Sequence, residues 1–335
     1  MGSVPKFLIL RFSSIGDIVL TTPVIRCIKQ QIPSAEIHFV TKEVYAEVLA
    51  NNPYIDQLHT LNEGYEKQLL THLRSIQFDY IIDLHHNLRT WKFKWFLRSS
   101  TSYSFSKENI KKWLLTAWKK NLLPDTHVVD RYMETVKPLH VKNDGRGLDF
   151  FLSEKDHVSK TELPLTHIHG YVALAIGAAH ATKRVPIEKL KILCATLPTP
   201  IVLLGGKTDA AMGQALQAED NIKIYNACGK FKLGETAFLI KNCKLLITPD
   251  TGLMHIGAAL KIPIISIWGN TVPAFGMYPY YGDVSIANRM VEIDGLSCRP
   301  CSKIGYQSCP RIHFNCMMKH DMQKIADLAA KLLNP

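Results

Sequence analysis

Three short stretches carry residue types whose spacing could do chemistry. The first, Ser13-Ser14-Ile15-Gly16-Asp17, follows the apolar run Phe7 to Leu10 and precedes a helical apolar pattern through Ile28. Such a strand–turn–helix unit places its turn where α/β folds present ligand sites. Asp17 there could take a proton from a substrate hydroxyl, with Ser14 and Gly16 beside it. Ser14-x-x-Asp17 also fits a capping box, in which the carboxylate only reaches back to the Ser14 amide.

The second stretch is Thr248-Pro249-Asp250-Thr251-Gly252-Leu253-Met254-His255. It predicts a strand ending at Pro249, Asp250 as N-cap, a helix opened by Thr251 and Gly252, and His255 one turn in. Free amides at a helix start suit a pyrophosphate, with Asp250 or His255 addressing a sugar hydroxyl. A capped core helix with a buried histidine fits the same residues. The third, Gly177 to Pro186, follows a strand with small residues and then Thr182, Lys183 and Arg184, so its cations could meet phosphate charge.

The elements that must position these residues repeat in two series. Strand and helix patterns alternate β-α-β-α-β up to Tyr80–Leu84, and again from Tyr171 to Trp268. Residues 153–169 hold few periodic apolar positions and include Pro164, which suits a linker. The expected organisation is therefore a domain over residues 1–160, a second over 170–320, and a closing helix over 321–335. Two doubly wound domains facing a cleft are the economical architecture. No G-x-x-x-x-G-K-[ST] occurs, and no G-x-G-x-x-G follows the first strand, which disfavours a dinucleotide oxidoreductase.

From Arg89 to Lys120, the aromatics Trp91, Phe93, Trp95, Phe96, Trp113 and Trp118 interleave with Arg89, Lys92, Lys94, Arg98, Lys107, Lys111, Lys112, Lys119 and Lys120. A helix pair with a core face and a solvated face explains most of them. The concentration also suits a surface meeting an anionic, amphipathic partner. The formal net charge of +11 favours anionic partners without choosing among them. No run is long enough for a membrane span and the first residues lack a signal-peptide layout, so a cytoplasmic protein is expected.

Of the eight cysteines, Cys27, Cys194, Cys228 and Cys243 are scattered and read as buried small hydrophobes. Cys298, Cys301, Cys309 and Cys316 crowd one loop. Zinc is chemically possible there, but the spacing lacks the paired C-x2-C of a ribbon, and disulfides are less expected in a cytosolic compartment. A basic, zinc-stapled nucleic-acid-binding protein is a rival reading, weakened because no such module is present.

Four motifs in order, SSIGDIVLTTPVI from Ser13, DLHHNLRT from Asp83, TKRVP from Thr182 and PDTGLMHIGAAL from Pro249, resemble glycosyltransferase family 9, the group of the ADP-heptose–lipopolysaccharide heptosyltransferases. The resemblance spans nearly the whole chain and implies a GT-B architecture of two facing Rossmann-like domains. It implies that Asp17 is the general base, that Thr182, Lys183, Asp250, Thr251, Gly252 and His255 bind the nucleotide-sugar donor, and that Ser14, Gly16 and Arg89 lie on the acceptor side. Related enzymes often carry a similar cysteine-rich loop, which implies that Cys298, Cys301, Cys309 and Cys316 staple a structural loop with no catalytic role and no metal. The expected reaction is inverting and metal-independent, without a cofactor, moving a heptose from an ADP-sugar to a lipid-linked anionic oligosaccharide. The same fold with another nucleotide sugar is the alternative. No nucleic-acid partner is expected, and peripheral contact with the inner membrane face is compatible with it. Ala178-Ala179-His180 departs from the family, occupying a stretch where hydroxyl residues are often found.

Overall fold

The computed structural model describes residues 4–98 and 101–333. In chain order, β1 (Lys6–Leu10) is followed by α1 (Ile15–Val19), α2 (Thr22–Gln31), β2 (Glu36–Lys42), β3 (Gln57–Leu61), α3 (Glu66–Ile76), β4 (Tyr80–Asp83), α4 (Leu88–Leu97) and β5 (Thr101–Ser104). These strands form one parallel sheet of order β3-β2-β1-β4-β5. The inner strands read as apolar runs because helices cover both faces of a parallel sheet. Leu8, Leu10 and Ile81 pack with Leu70 and Leu73 of α3 and Phe93 of α4 in one core.

Two helices replace the single one expected after β1. Pro23 has no N–H to continue the ladder, and the Thr22 hydroxyl bonds the Val19 carbonyl at 2.8 Å instead. Residues 43–48 form a 3-10 helix.

Helix α5 (Asn109–Trp118) follows, then α6 (Val128–Met133). The chain divides into two compact units, the first comprising residues 1–107, 126–151 and 282–284, and the second residues 108–125, 152–281 and 285–335. Helices α4 and α5, expected as a pair, thus belong to different units, with strand β5 between them. Lys119, expected as a surface cation, donates to the Pro300 carbonyl at 2.7 Å and ties the end of α5 to the cysteine-bearing loop of its own unit.

Within the first unit, the later segment is held to α2 by Arg26. This buried guanidinium pairs with Asp144 at 2.7 Å, with Asp149, and with the Gly147 carbonyl at 2.9 Å. On the other side of that segment, the Asp283 amide donates to the Gly145 carbonyl at 2.7 Å. Gly282 has φ +67°, and a Cβ there would sit 2.0 Å from the Gly145 oxygen, so the clip requires glycine.

The second unit contains β6 (Val172–Ala175), α7 (Ile187–Thr196), β7 (Ile201–Leu204), α8 (Ala210–Gln217), β8 (Ile224–Asn226), α9 (Leu233–Lys241), β9 (Leu245–Pro249), α10 (Gly252–Ala259), β10 (Ile264–Trp268), β11 (Asn288–Glu292), α11 (Asn315–Met318) and α12 (Met322–Leu333). Its six strands are parallel in the order β11-β10-β9-β6-β7-β8. Residues 153–169 carry three 3-10 turns and pack within this unit, with His157 against Phe238 of α9. The last two residues of the expected closing helix lie outside the described ones. Both sheets are doubly wound around their first strand, so strand order reverses between β1 and β4 and between β6 and β9. Crevices at such switch points, beyond the carboxyl ends of the strands, are where ligands bind in this architecture.

Candidate functional site

At the first switch point, Asp17 sits on α1 and has both carboxylate oxygens engaged. Oδ2 accepts from the Ser14 amide at 3.1 Å and the Ser14 hydroxyl at 2.8 Å. Oδ1 lies 2.6 Å from Arg11 Nη2. Ser14 is therefore the residue before the helix, with its hydroxyl donating to Asp17, and Gly16 is buried beside them. The capping contact and an ion pair coexist in one side chain.

Sequence reasoning missed Arg11 as a site residue, although a charge directly after an apolar strand was the available signal. Its Nη1 donates to the Leu84 carbonyl at 2.6 Å and its Nε to the Ser13 carbonyl at 2.8 Å, so it joins the ends of β1 and β4. Burial works against its charge, yet Asp17, Tyr132 and Asp83 outweigh burial and hold the guanidinium more firmly protonated than usual. From β4, buried Asp83 accepts from the amides of His85 and His86 at 3.1 and 2.6 Å and faces Lys94 at 3.0 Å. Burial, helped by Arg11 and Lys107, pushes His85 down to about 4, so it is neutral near pH 7. Arg89, in the first turn of α4, turns instead toward Glu66 of α3, 3.9 Å away.

At the second switch point the topology joins residues 67 positions apart. Lys183, after β6, lies 2.6 Å from Asp250 Oδ2, after β9. Asp250 is not the N-cap as expected. Thr251 takes that place with extended backbone, leaving the Asp250 side chain to accept from Lys183 and from the Thr271 hydroxyl at 2.8 Å. The Thr251 hydroxyl meets that of Thr248 at 3.2 Å. Gly252 opens α10, and His255 is buried one turn in.

Thr182 is buried, and its hydroxyl accepts from the Tyr306 amide at 2.8 Å. Arg184 is not poised beside Lys183. Its Nε donates to the Ala178 carbonyl at 2.8 Å, and its Nη1 lies 3.6 Å from Asp209. Thr271 and Asn270, both in the loop after β10, were not foreseen. Asn270 is 1 % exposed, and neither amide atom has a hydrogen-bond partner among the described residues.

The four clustered cysteines carry free thiols, as do the four buried ones. Burial pushes Cys316 up to about 12, with Cys301, Cys309 and Cys298 adding to the effect. Among the described residues no group of three or more His, Cys, Asp or Glu side chains is arranged to hold a metal ion.

Each unit thus offers its own kind of chemistry at its switch point: a carboxylate braced by an arginine in one, a lysine and a helix start in the other. Comparison with known proteins identifies the family independently of these side chains. The profile of glycosyltransferase family 9 (heptosyltransferase) matches residues 67–304, and the chain belongs to this family. Lipopolysaccharide heptosyltransferase 1 of Campylobacter coli is 26 % identical over 297 residues, covering 79 % of this chain and 84 % of that protein. Among solved structures, a family 9 glycosyl transferase from Veillonella parvula matches with a TM-score of 0.74 at 20 % identity, covering 99 % of this chain and 98 % of that one. The E. coli ADP-heptose lps heptosyltransferase II matches with a TM-score of 0.72 at 20 % identity, covering 98 % of both. The fold is the two-domain GT-B form of these glycosyltransferases, and the protein is a glycosyltransferase of the heptosyltransferase family.

Proposed function

We propose that this enzyme transfers a heptose, with inversion, from ADP-heptose to a lipid-linked lipopolysaccharide-core acceptor. The carrying observation is the Lys183–Asp250 ion pair at the start of α10, together with membership of the family. A nucleoside diphosphate leaving group gains negative charge as its bond to the anomeric carbon breaks. Lys183 and the free amides at Thr251, Gly252 and beyond supply opposing charge in advance of reaction. Asp250 holds the ammonium in place until phosphate takes over, and His255 and Thr182 line the same loops. These groups do the work often given to a divalent ion, so transfer proceeds without a metal or further cofactor.

Asp17 accepts the proton of the acceptor hydroxyl as that oxygen attacks. Arg11 and Ser14 between them hold both oxygens of the carboxylate. Its advantage therefore lies in orientation, with Ser14 and Gly16 shaping the turn and Arg89 available to an acidic sugar or phosphate. The acceptor is met at the cytoplasmic membrane face through exposed apolar and basic side chains of α4. No helix among the described residues is long and apolar enough to cross a membrane.

The test is transfer from ADP-heptose with chelator present. Wild-type should turn over, and Asp17→Asn should lose ~10²–10⁴-fold in rate while still binding ADP. Lys183→Ala should lose ADP affinity, and Arg89→Ala should not. Turnover with a different nucleotide sugar only would replace the donor, and activity restored only by a divalent ion would overturn the mechanism.

A further inference from the structure

We propose that Arg299, in the cysteine-rich loop, is a positioning residue for the donor-side ion pair. This rests on the donor reading of Lys183 and Asp250. Its side chain is 7 % exposed and directs its fork of donors at the loop after β10. Nε donates to the Gly269 carbonyl at 2.6 Å and Nη2 to the Thr271 carbonyl at 2.9 Å. Glu292 of β11, 2.6 Å from Nη2, balances its charge and fixes its direction. Two carbonyls on either side of one residue, plus a carboxylate, match a planar guanidinium and exceed the reach of a single ammonium.

The clamped loop leads directly to the donor residues. Thr271, whose carbonyl Arg299 holds, donates its hydroxyl to Asp250 Oδ2, the oxygen that Lys183 meets at 2.6 Å. Arg299, Thr271, Asp250 and Lys183 therefore form a continuous chain of short polar contacts. The same cysteine-bearing segment grips the other donor loop next to Lys183: the Thr182 amide donates to the Tyr306 carbonyl, and the Tyr306 amide to the Thr182 hydroxyl. At the crossing of the two loops, Met317 and the Thr182 carbonyl lie so close to Gly269 that a Cβ there would be 2.5 and 3.0 Å from them. Asn270 lies buried between the two clamped carbonyls, its side-chain amide unpartnered among the described residues. The cysteine-rich loop is thus built into the donor site from behind and acts on it through Arg299.

The experiment titrates ADP into wild-type, Arg299→Lys, Arg299→Ala, Thr271→Val and the Arg299→Ala/Thr271→Val pair. Melting curves and separate KM values for ADP-sugar and acceptor accompany it. Arg299→Ala should weaken ADP by about tenfold, the scale of one lost charge-assisted bond, and Arg299→Lys by less. The acceptor KM should stay within about twofold, and the pair should be no weaker than Arg299→Ala alone, because Thr271 lies downstream in the chain. Thr271→Val leaves the clamp in place, so it reports even if Arg299→Ala fails to fold. Unchanged ADP affinity in Thr271→Val, equal losses for donor and acceptor, or a lower melting temperature with normal ADP binding would each overturn the proposal. No ADP binding by wild-type would remove the donor reading as well, whereas normal wild-type binding with silent variants would sink this inference alone.

Discussion

At Asp17 one carboxylate serves a helix start and a buried guanidinium at once, so its removal disturbs more than a base. Ser14→Ala is the informative control. It removes one hydroxyl donor while leaving the Arg11 pair and the carboxylate, so activity should persist where that of Asp17→Asn collapses. Elsewhere in the first unit, His59 is pushed down to about 4 by burial, with His38 and His72 adding to it, and shares a 2.9 Å contact with His38 Nδ1. The unfolded chain takes up this proton below its ordinary value of about 6.5, and the folded chain only near 4. The unfolded state therefore binds more protons in between, and stability present above pH 6.5 is lost as pH falls toward 4. Urea midpoints measured across that range should decline in wild-type and decline less steeply in His59→Gln. Parallel slopes would show that His59 does not titrate between the two states.

On the scale of elements, α4 presents apolar side chains on two faces. Thr90 and Phe93 are buried, while Leu88, Trp91 and Trp95 are 88 %, 63 % and 66 % exposed at i, i+3 and i+7. Arg89 and Lys92 flank the exposed face. Tryptophan prefers the boundary between lipid headgroups and water, and each basic residue near an anionic leaflet adds about 1 kcal/mol. Trp91→Ala/Trp95→Ala should melt near wild-type and bind anionic vesicles more weakly. It should raise KM for a lipid-linked acceptor far more than for a short soluble one. Vesicle binding equal to wild-type would mean this face meets something other than a bilayer. The buried strands were legible as apolar runs, since both of their faces are covered. The edge strands β5 and β11 were not, because Thr101 to Ser104 and Asn288 to Glu292 are largely polar and half open to solvent. Contacts inside one motif, such as Ser14 with Asp17, were legible too. The Lys183–Asp250 contact and the Arg299 clamp were not, because sheet order and not spacing along the chain creates them.

Across the whole molecule, the chain passes between its two compact units several times, returning to the first for residues 282–284 alone. Gly282→Ala should therefore weaken the first unit, whose residues other than 282–284 all lie more than a hundred positions earlier in the chain. A Cβ placed against the Gly145 oxygen at a positive φ forces that clip open and should cost at least about 1 kcal/mol. Hydrogen exchange should quicken around residues 144–149 and α2 and stay unchanged in β6 and β9. Faster exchange confined to the second unit would show that residues 282–284 do not brace the first.

The clip also sets an order in time. As the chain is synthesised, residues 144–149 can reach Arg26 as soon as they emerge, but Gly282 follows roughly 135 residues later. At about 5–20 residues per second that is a wait of roughly 7 to 27 s. During it the Gly145 carbonyl lacks its Asp283 donor, and the first unit is completed only after most of the second has been made.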